Sequence, residues 1–249
     1  MAGRSYKTEA VVLRSIRLGE ADRVLHLYTQ ERGRVGAVAK GVRKTKSRFG
    51  ARLEPLSHAE LVLHRGSGEL ETVTGVQLVR SHDAARGDYY RLSVGLIGAE
   101  AMLRLFSEQE ANERAFTAIT RFLDLLDEAP HAADRPALDP LGLSFQLKLL
   151  WLSGYLPHLT SCAECAAEDA TLVGYSPRAG GAVCGACAGR TEALALGGEG
   201  IAGIEALLAQ PLAGAVPLAL GDRARRDALR VVTASYEYHG GFRLRTLSA

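Results

Sequence analysis

The first eighty residues alternate apolar and polar positions on a short period. Leu70, Thr72, Thr74, Val76 and Leu78 interleave with Glu71, Val73, Gly75, Gln77 and Val79, a period of two with both faces mixed. Short segments rich in Val, Leu, Thr and Tyr also fall near 6–18, 23–29, 34–40 and 59–64, separated by turn residues. Arg32-Gly33-Arg34 stands where a hairpin turn between the second and third segments belongs. Five short strands in this length predict a small closed barrel, because closure removes exposed edges. A five-stranded OB-type barrel fits.

The period then changes. Leu92, Leu96, Ala99, Leu103 and Phe106 recur at helical spacing, and Phe116, Ile119, Leu123 and Leu126 follow suit. Pro130, Pro136 and Pro140 mark a loop, and Leu141 to Leu152 reads as a third, buried helix. Residues 160–190 are irregular and hold every cysteine. Past Gly197-Gly198 the helical pattern returns near 202–209 and 222–239. The expected architecture is α+β and multidomain. An N-terminal OB-fold barrel covers 1–80, and a mainly α-helical domain covers 81–159 and 192–249. A zinc-ribbon-like element with four cysteines is inserted at 160–191.

Composition narrows the class. With 249 residues, 47% apolar and 23% charged, the chain is neither disordered, collagen-like nor a disulfide-dense miniprotein. No apolar run approaches the roughly 20 residues of a bilayer span. The start, MAGRSYKTEA, lacks the apolar core of a secretory signal, so a cytoplasmic protein without membrane contact is expected.

A net charge of +2 conceals an asymmetry. Residues 1–80 carry fifteen Lys+Arg against eight Asp+Glu, residues 81–220 nine against seventeen, and residues 221–249 six against three. Such sign asymmetry points to a polyanion partner. Between Gly33 and Leu53 there are seven basic residues and no acid: Arg34, Lys40, Arg43, Lys44, Lys46, Arg48 and Arg52, with Phe49 interleaved. A basic connector on a barrel suits nucleic acid, with cations along the phosphates and an aromatic on the bases. A solvated loop serving only solubility is the plainer alternative. Arg223, Arg226 and Arg230 share one helix face, a candidate secondary basic face, while Leu229, Val232 and Tyr236 face inward.

The cysteines fall as Cys162-x2-Cys165 and Cys184-x2-Cys187, eighteen residues apart. Two such turns complete a tetrahedral four-sulfur site, the usual closed geometry of structural Zn²⁺. Gly185, inside the second turn, is expected to supply a positive φ. Four protein ligands leave no open position for metal catalysis. Two disulfides or four unrelated buried thiols are the alternatives.

Enzyme signatures are missing. Gly36 to Gly41 has P-loop glycine spacing, but Val42 and Arg43 stand where Lys and Ser/Thr are needed. Gly66 and Gly68 lack the third glycine of a dinucleotide fingerprint, and neither HExxH nor GxSxG occurs. His26 and His239 read as ordinary packing or surface residues. Glu20 and Asp22 flank a turn without further acids, so a metal-dependent nuclease is disfavoured.

Several segments together resemble the bacterial recombination mediator RecO family. They are Ala10–Arg14, Gly19–Leu25, Thr29–Arg34 and Ala39–Arg43 with Ser47-Arg48-Phe49. Tyr175-Ser176-Pro177 with Gly180-Gly181 before Cys184, and the ending Tyr236 to Arg245, add to them. Departures are Gly240-Gly241 for a more usual Leu-Gly and a shorter basic tail. The resemblance implies an OB-fold, a helical domain and a zinc-ribbon-like element. It implies binding of single- and double-stranded DNA and annealing of complementary strands without ATP. It also implies contacts with RecR and SSB, and through them RecA loading in DNA repair, at the nucleoid. Lys40, Arg43, Lys44, Lys46, Arg48 and Arg52 would then hold phosphates, with Arg14 and Arg34 extending the track. The rival reading is a zinc-ribbon scaffold that binds only protein.

Overall fold

Five strands open the chain: β1 (Ser5–Leu18), β2 (Asp22–Thr29), β3 (Gly33–Ala39), β4 (His58–His64) and β5 (Glu71–Arg80). Each lies within one residue of the segment that the alternation marks. They close into a barrel in the order β1-β2-β3-β5-β4, with β4 returning to β1. Only β3 and β5 pair in parallel. An irregularity between Val12 and Arg14 bends the long β1, which lets one strand serve both neighbours. Ala10, Val12, Leu25, Leu27, Val35, Ala37, Leu61, Leu63 and Val73 point inward and fill the barrel.

In this computed structural model, residues 4–44, 47, 49–128 and 133–247 are described. The chain divides into two compact units, Met1–Glu128 and Ala129–Ala249. The first unit adds three helices to the barrel, α1 (Asp83–Gly87), α2 (Tyr89–Leu105) and α3 (Glu113–Glu128). The α3 stripe is buried as its period requires, through Phe116, Ile119, Leu123 and Leu126. In α2 the buried side is Val94, Ile97, Ala99, Ala101 and Met102, so the predicted stripe is met at Ala99 while its Leu92, Leu96 and Leu103 are only half-buried. Gly95 also lies on that side, where a Cβ would meet Leu56 Cδ1 at 2.6 Å.

The second unit is built around α4 (Pro140–Leu152). Asp139 caps it by accepting the N–H groups of Leu141 and Gly142, and Pro140 occupies the first turn. This helix is mostly apolar and mostly buried, with Ser144, Gln146 and Lys148 as its polar side chains. Around it lie a small sheet, β6 (Leu172–Ser176), β7 (Gly181–Cys184) and β8 (Leu194–Ala195), and the helices α5 (Gly185–Ala188), α6 (Gly198–Ala209), α7 (Leu212–Ala215) and α8 (Asp222–Gly240). Buried polar contacts fix the packing. Ser144 Oγ donates to Leu207 O of α6 at 2.9 Å, and Tyr236 OH of α8 donates to Gln146. Tyr175 of β6 and Ser235 of α8 share a hydrogen bond of 2.7 Å. Among the described residues no helix is long and apolar enough to cross a membrane.

Candidate metal centre and nucleic-acid interface

The ribbon brings the four cysteines together. His158 N–H donates to Gly180 O at 3.0 Å, and Ala182 N–H donates to His158 O at 2.7 Å. Ala163 N–H then donates to Ala182 O at 2.8 Å, so the segment entering the first CxxC turn is laced onto β7. Gly181 permits this, because any Cβ there would collide with the His158 carbonyl. Cys184 ends β7 and Cys187 sits in α5. Gly185 has no positive φ and starts the short helix α5; that conformation falls instead on Ala166, after the first turn, with φ of 59°. A helical second turn needs no left-handed residue, which corrects the expectation for Gly185.

All four sulfurs lie within 4.8 Å of one another. Cys165 Sγ and Cys184 Sγ are 3.9 Å apart. A tetrahedron with metal–sulfur bonds of about 2.3 Å has edges of about 3.8 Å, so the geometry fits a four-thiolate metal ion. Donors surround the sulfurs as well. Cys184 N–H donates to Cys162 Sγ, and Arg190 Nη2 donates to Cys187 Sγ at 3.0 Å. The Cys184 N–H is the largest influence on the Cys162 thiol and, against desolvation, brings it down to about 6. Arg190 draws the Cys187 thiol down, but burial and the three neighbouring sulfurs outweigh it and push the group up to about 11. Four adjacent thiolates repel each other, and a divalent cation removes that conflict. These four cysteines could therefore hold a metal ion.

The predicted cations meet different fates. Arg14, Lys40 and Lys44 are exposed, and none has an acidic partner among the described residues. Arg43 is exposed, but its guanidinium donates to Gly19 O and Glu20 O at 3.2 and 2.9 Å and pins the β1–β2 turn. Arg52 is exposed and makes contacts of its own. Arg34 donates to Phe106 O at 2.8 Å and pairs with Glu108 at 3.2 Å, tying the barrel to the segment after α2. Lys46 and Arg48 lie outside the described residues. Phe49 is 2% exposed and belongs to the barrel core, so its ring cannot receive a base. A lone aromatic in a polar connector reads as a stacking residue, yet Phe49 packs into the buried core of the barrel instead.

Sequence reasoning passed over Arg17, which is exposed on β1 and free of acidic partners among the described residues. It also passed over an outward cross-strand row in which Arg14 stands opposite His26 and His26 opposite Gly36. Gly36 is covered by the exposed Leu70, whose Cδ2 would lie 2.7 Å from a Cβ there. Burial lowers the His26 pKa most, and the charges of Arg14 and Arg34 lower it further. That histidine thus senses the positive character of the face. Strand pairing would have been needed to see the row, because its members come from three strands.

The C-terminal basic face is reduced by its own acid. Arg230 Nη1 reaches Asp227 Oδ1 at 3.3 Å and Ala195 O at 3.0 Å, and Arg223 Nε lies 3.9 Å from Asp227 Oδ2. Arg226 alone of the three is exposed without an acidic partner among the described residues.

Two family models match the chain. Recombination protein O N terminal matches residues 1–82, and Recombination protein O C terminal matches residues 86–248. Similar curated proteins carry the name DNA repair protein RecO. One from Anaeromyxobacter dehalogenans strain 2CP-C is 37% identical over 96% of this chain and 92% of its own length. One from Frankia casuarinae is 39% identical over 94% of this chain and 93% of its own. Another from Rubrobacter xylanophilus is 39% identical over 73% of this chain and 71% of its own.

Proposed function

Because this chain belongs to the recombination protein O family, we propose that it is a recombination mediator in DNA repair. It binds single- and double-stranded DNA without sequence preference and anneals complementary strands without ATP. With RecR it promotes RecA loading on SSB-coated single strands. It makes and breaks no covalent bonds itself, and it works in the cytoplasm at the nucleoid.

One observation carries this reading. Lys7, Arg23, Arg34, Arg65 and Arg80 of the barrel each pair with a carboxylate. By contrast Arg14, Arg17, Lys40 and Lys44 stay exposed with no acidic partner among the described residues. Cations left unpaired beside a barrel face are available to phosphates. Lys46, Arg48 and Arg52 extend the same connector, and Arg43 orders it. Phosphate contacts of this kind hold DNA without reading sequence, and they release counterions. Neutralising two strands on one protein lowers their repulsion and lets complementary bases meet.

Cys162, Cys165, Cys184 and Cys187 hold a zinc ion in this reading. With four protein ligands the ion's contribution is folding energy for a glycine-rich ribbon. The ribbon then anchors Tyr175 against Ser235 of α8.

The test is annealing of two complementary labelled oligonucleotides, bare and SSB-coated, across a salt series without ATP. Annealing that weakens steeply with salt supports the mediator reading. A protein that neither anneals nor binds DNA in a salt-dependent way refutes it and leaves a protein-binding scaffold.

A further inference from the structure

The outward side of the β2–β3 hairpin is not all open. Leu27 and Val35 point into the barrel, so Tyr28 and Arg34, which stand opposite each other, point out. The face formed by the second and third strands is where an OB-type barrel takes oligonucleotides. Here one end of that face is covered by residues 106–110, between α2 and α3. β3 pairs with β5 only at Ala37 and Val38, which leaves the first half of β3 without β5. The segment takes that place. Glu108 bridges Arg34 in parallel, and Gln109 N–H donates to Arg34 O at 3.0 Å. Gly33 allows the approach, because a Cβ there would collide with the Glu110 carbonyl.

The cover offers Arg34 what a strand would bring. Arg34 Nη1 donates to Phe106 O at 2.8 Å, and Nη2 donates to Glu108 Oε1 at 3.2 Å. A carboxylate on a guanidinium has the charge and the geometry of a phosphate there. Glu108 itself is 69% exposed, so a phosphate reaches Nη2 by displacing a surface side chain. The fit to the rest of the face is poorer. The Phe106 ring meets Tyr28 edge-on at 5.6 Å and Tyr28 is fully buried, yet its hydroxyl has no hydrogen-bond partner among the described residues. Tyr175 and Tyr236, buried as deeply, each have one. A buried hydroxyl without an acceptor weakens the closed arrangement. Against burial and the charges of Arg14 and Arg34, Glu108 raises the His26 pKa, so its charge also reaches the Arg14–His26 row.

We propose that the segment 106–110 competes with single-stranded DNA for the outward face of the barrel, with Glu108 holding Arg34 in the place of a phosphate. Displacing Glu108 adds Arg34 to the cations that Arg14, Lys40 and Lys44 already offer. Glu108 thereby limits affinity, which favours release of a strand once it has paired. The proposal rests on the DNA-binding reading above.

The experiment measures binding of a labelled single strand to the full-length protein by fluorescence anisotropy across a salt series. Wild type is compared with Glu108→Ala, with Arg34→Gln and with the two combined. A fourth variant, Glu31→Ala, removes one exposed acid from the β2–β3 turn. Arg34→Gln keeps a donor for Phe106 O, and thermal melts confirm folding. One added phosphate contact steepens the salt slope by about 0.7 and raises affinity at about 0.1 M salt roughly fivefold. That gain is expected for Glu108→Ala and is expected to vanish when Arg34→Gln is added. Glu31→Ala should keep the wild-type slope. Two results would overturn the competition: Glu108→Ala binding as wild type does, or a gain that survives in the double variant or is matched by Glu31→Ala. Either leaves the DNA-binding reading standing. If neither wild type nor any variant binds DNA, that reading itself fails and the competition falls with it.

Discussion

The backbone N–H of Cys184 donates to Sγ of Cys162 at 3.3 Å, so the first cysteine of one CxxC pair is supported by the first cysteine of the other. Cys162 is also buried, whereas Cys165 is exposed. The four ligands are therefore not equivalent. Cys162→Ser removes a buried sulfur acceptor as well as a ligand, and Cys165→Ser removes a ligand at the surface. Cys162→Ser is expected to cost at least about 3 kcal/mol, roughly 6–12 °C in Tm, and Cys165→Ser clearly less. Thermal melts with metal analysis check this, alongside chelator-treated wild type, which should melt lower than the metal-loaded protein. Equal losses for the two variants would show that the Cys184 contact adds nothing.

Lys44 and Arg34 separate binding from folding. Lys44 is exposed with no acidic partner among the described residues, while Arg34 is engaged by Phe106 O and Glu108. Lys40→Glu with Lys44→Glu is expected to weaken DNA binding and to flatten its salt dependence by about 0.7 per lost contact on single strands. Tm should hold. Arg34→Ala should do the reverse, lowering stability by about 1–2 kcal/mol while the salt slope stays near wild type. Anisotropy titrations and melts on the two variants decide it. If Arg34→Ala loses as much slope as the lysine pair, Arg34 leaves its internal partners to bind DNA.

Phe49→Ala creates a cavity in the barrel core. The expected cost is about 3–5 kcal/mol, as for other buried phenylalanines. Phe49→Leu keeps most of the volume and should leave DNA affinity unchanged. A Phe49→Leu protein of normal stability with weakened single-strand binding would restore Phe49 as a base-stacking residue.

Phe49 also shows where reading a sequence runs out. The strands were legible because alternation and turn residues are local, and every boundary agrees within one residue. The cysteine cluster was legible because CxxC spacing encodes its own geometry. Phe116, Ile119, Leu123 and Leu126 were legible because one side of α3 faces solvent. In α2 both sides are at least partly covered, so the spacing marked the helix but not its most buried side, where Gly95 presses on Leu56. Burial of Phe49 follows from barrel closure and leaves no periodic trace in a connector. The partner of Arg34 lies 74 residues away, and Asp227 draws in Arg223 and Arg230 from within their own helix. Whether a cation is free or occupied is decided by tertiary placement. Charge counts along the chain miss it.

Acid should act on binding and on stability in opposite directions. His26, His58 and His239 all have pKa values lowered from 6.5, in each case chiefly by desolvation. Below that value the unfolded chain holds more protons than the folded one, so stability is full above it and falls as pH drops through the window beneath it. DNA binding responds the other way. The charges of Arg14 and Arg34 depress His26 as well, and bound phosphate offsets such charges. Proton uptake then accompanies binding, and affinity rises with acidity. Between about pH 7.5 and about pH 5.5 single-strand affinity is expected to rise as His26 takes up a proton beside bound phosphate. His26→Gln should flatten that rise and leave the affinity at the alkaline end near wild type. Titrations of both proteins at fixed ionic strength measure it. Parallel profiles for wild type and His26→Gln would show that DNA does not approach the Arg14–His26 row, and the interface would then be confined to the connector around Lys40 and Lys44.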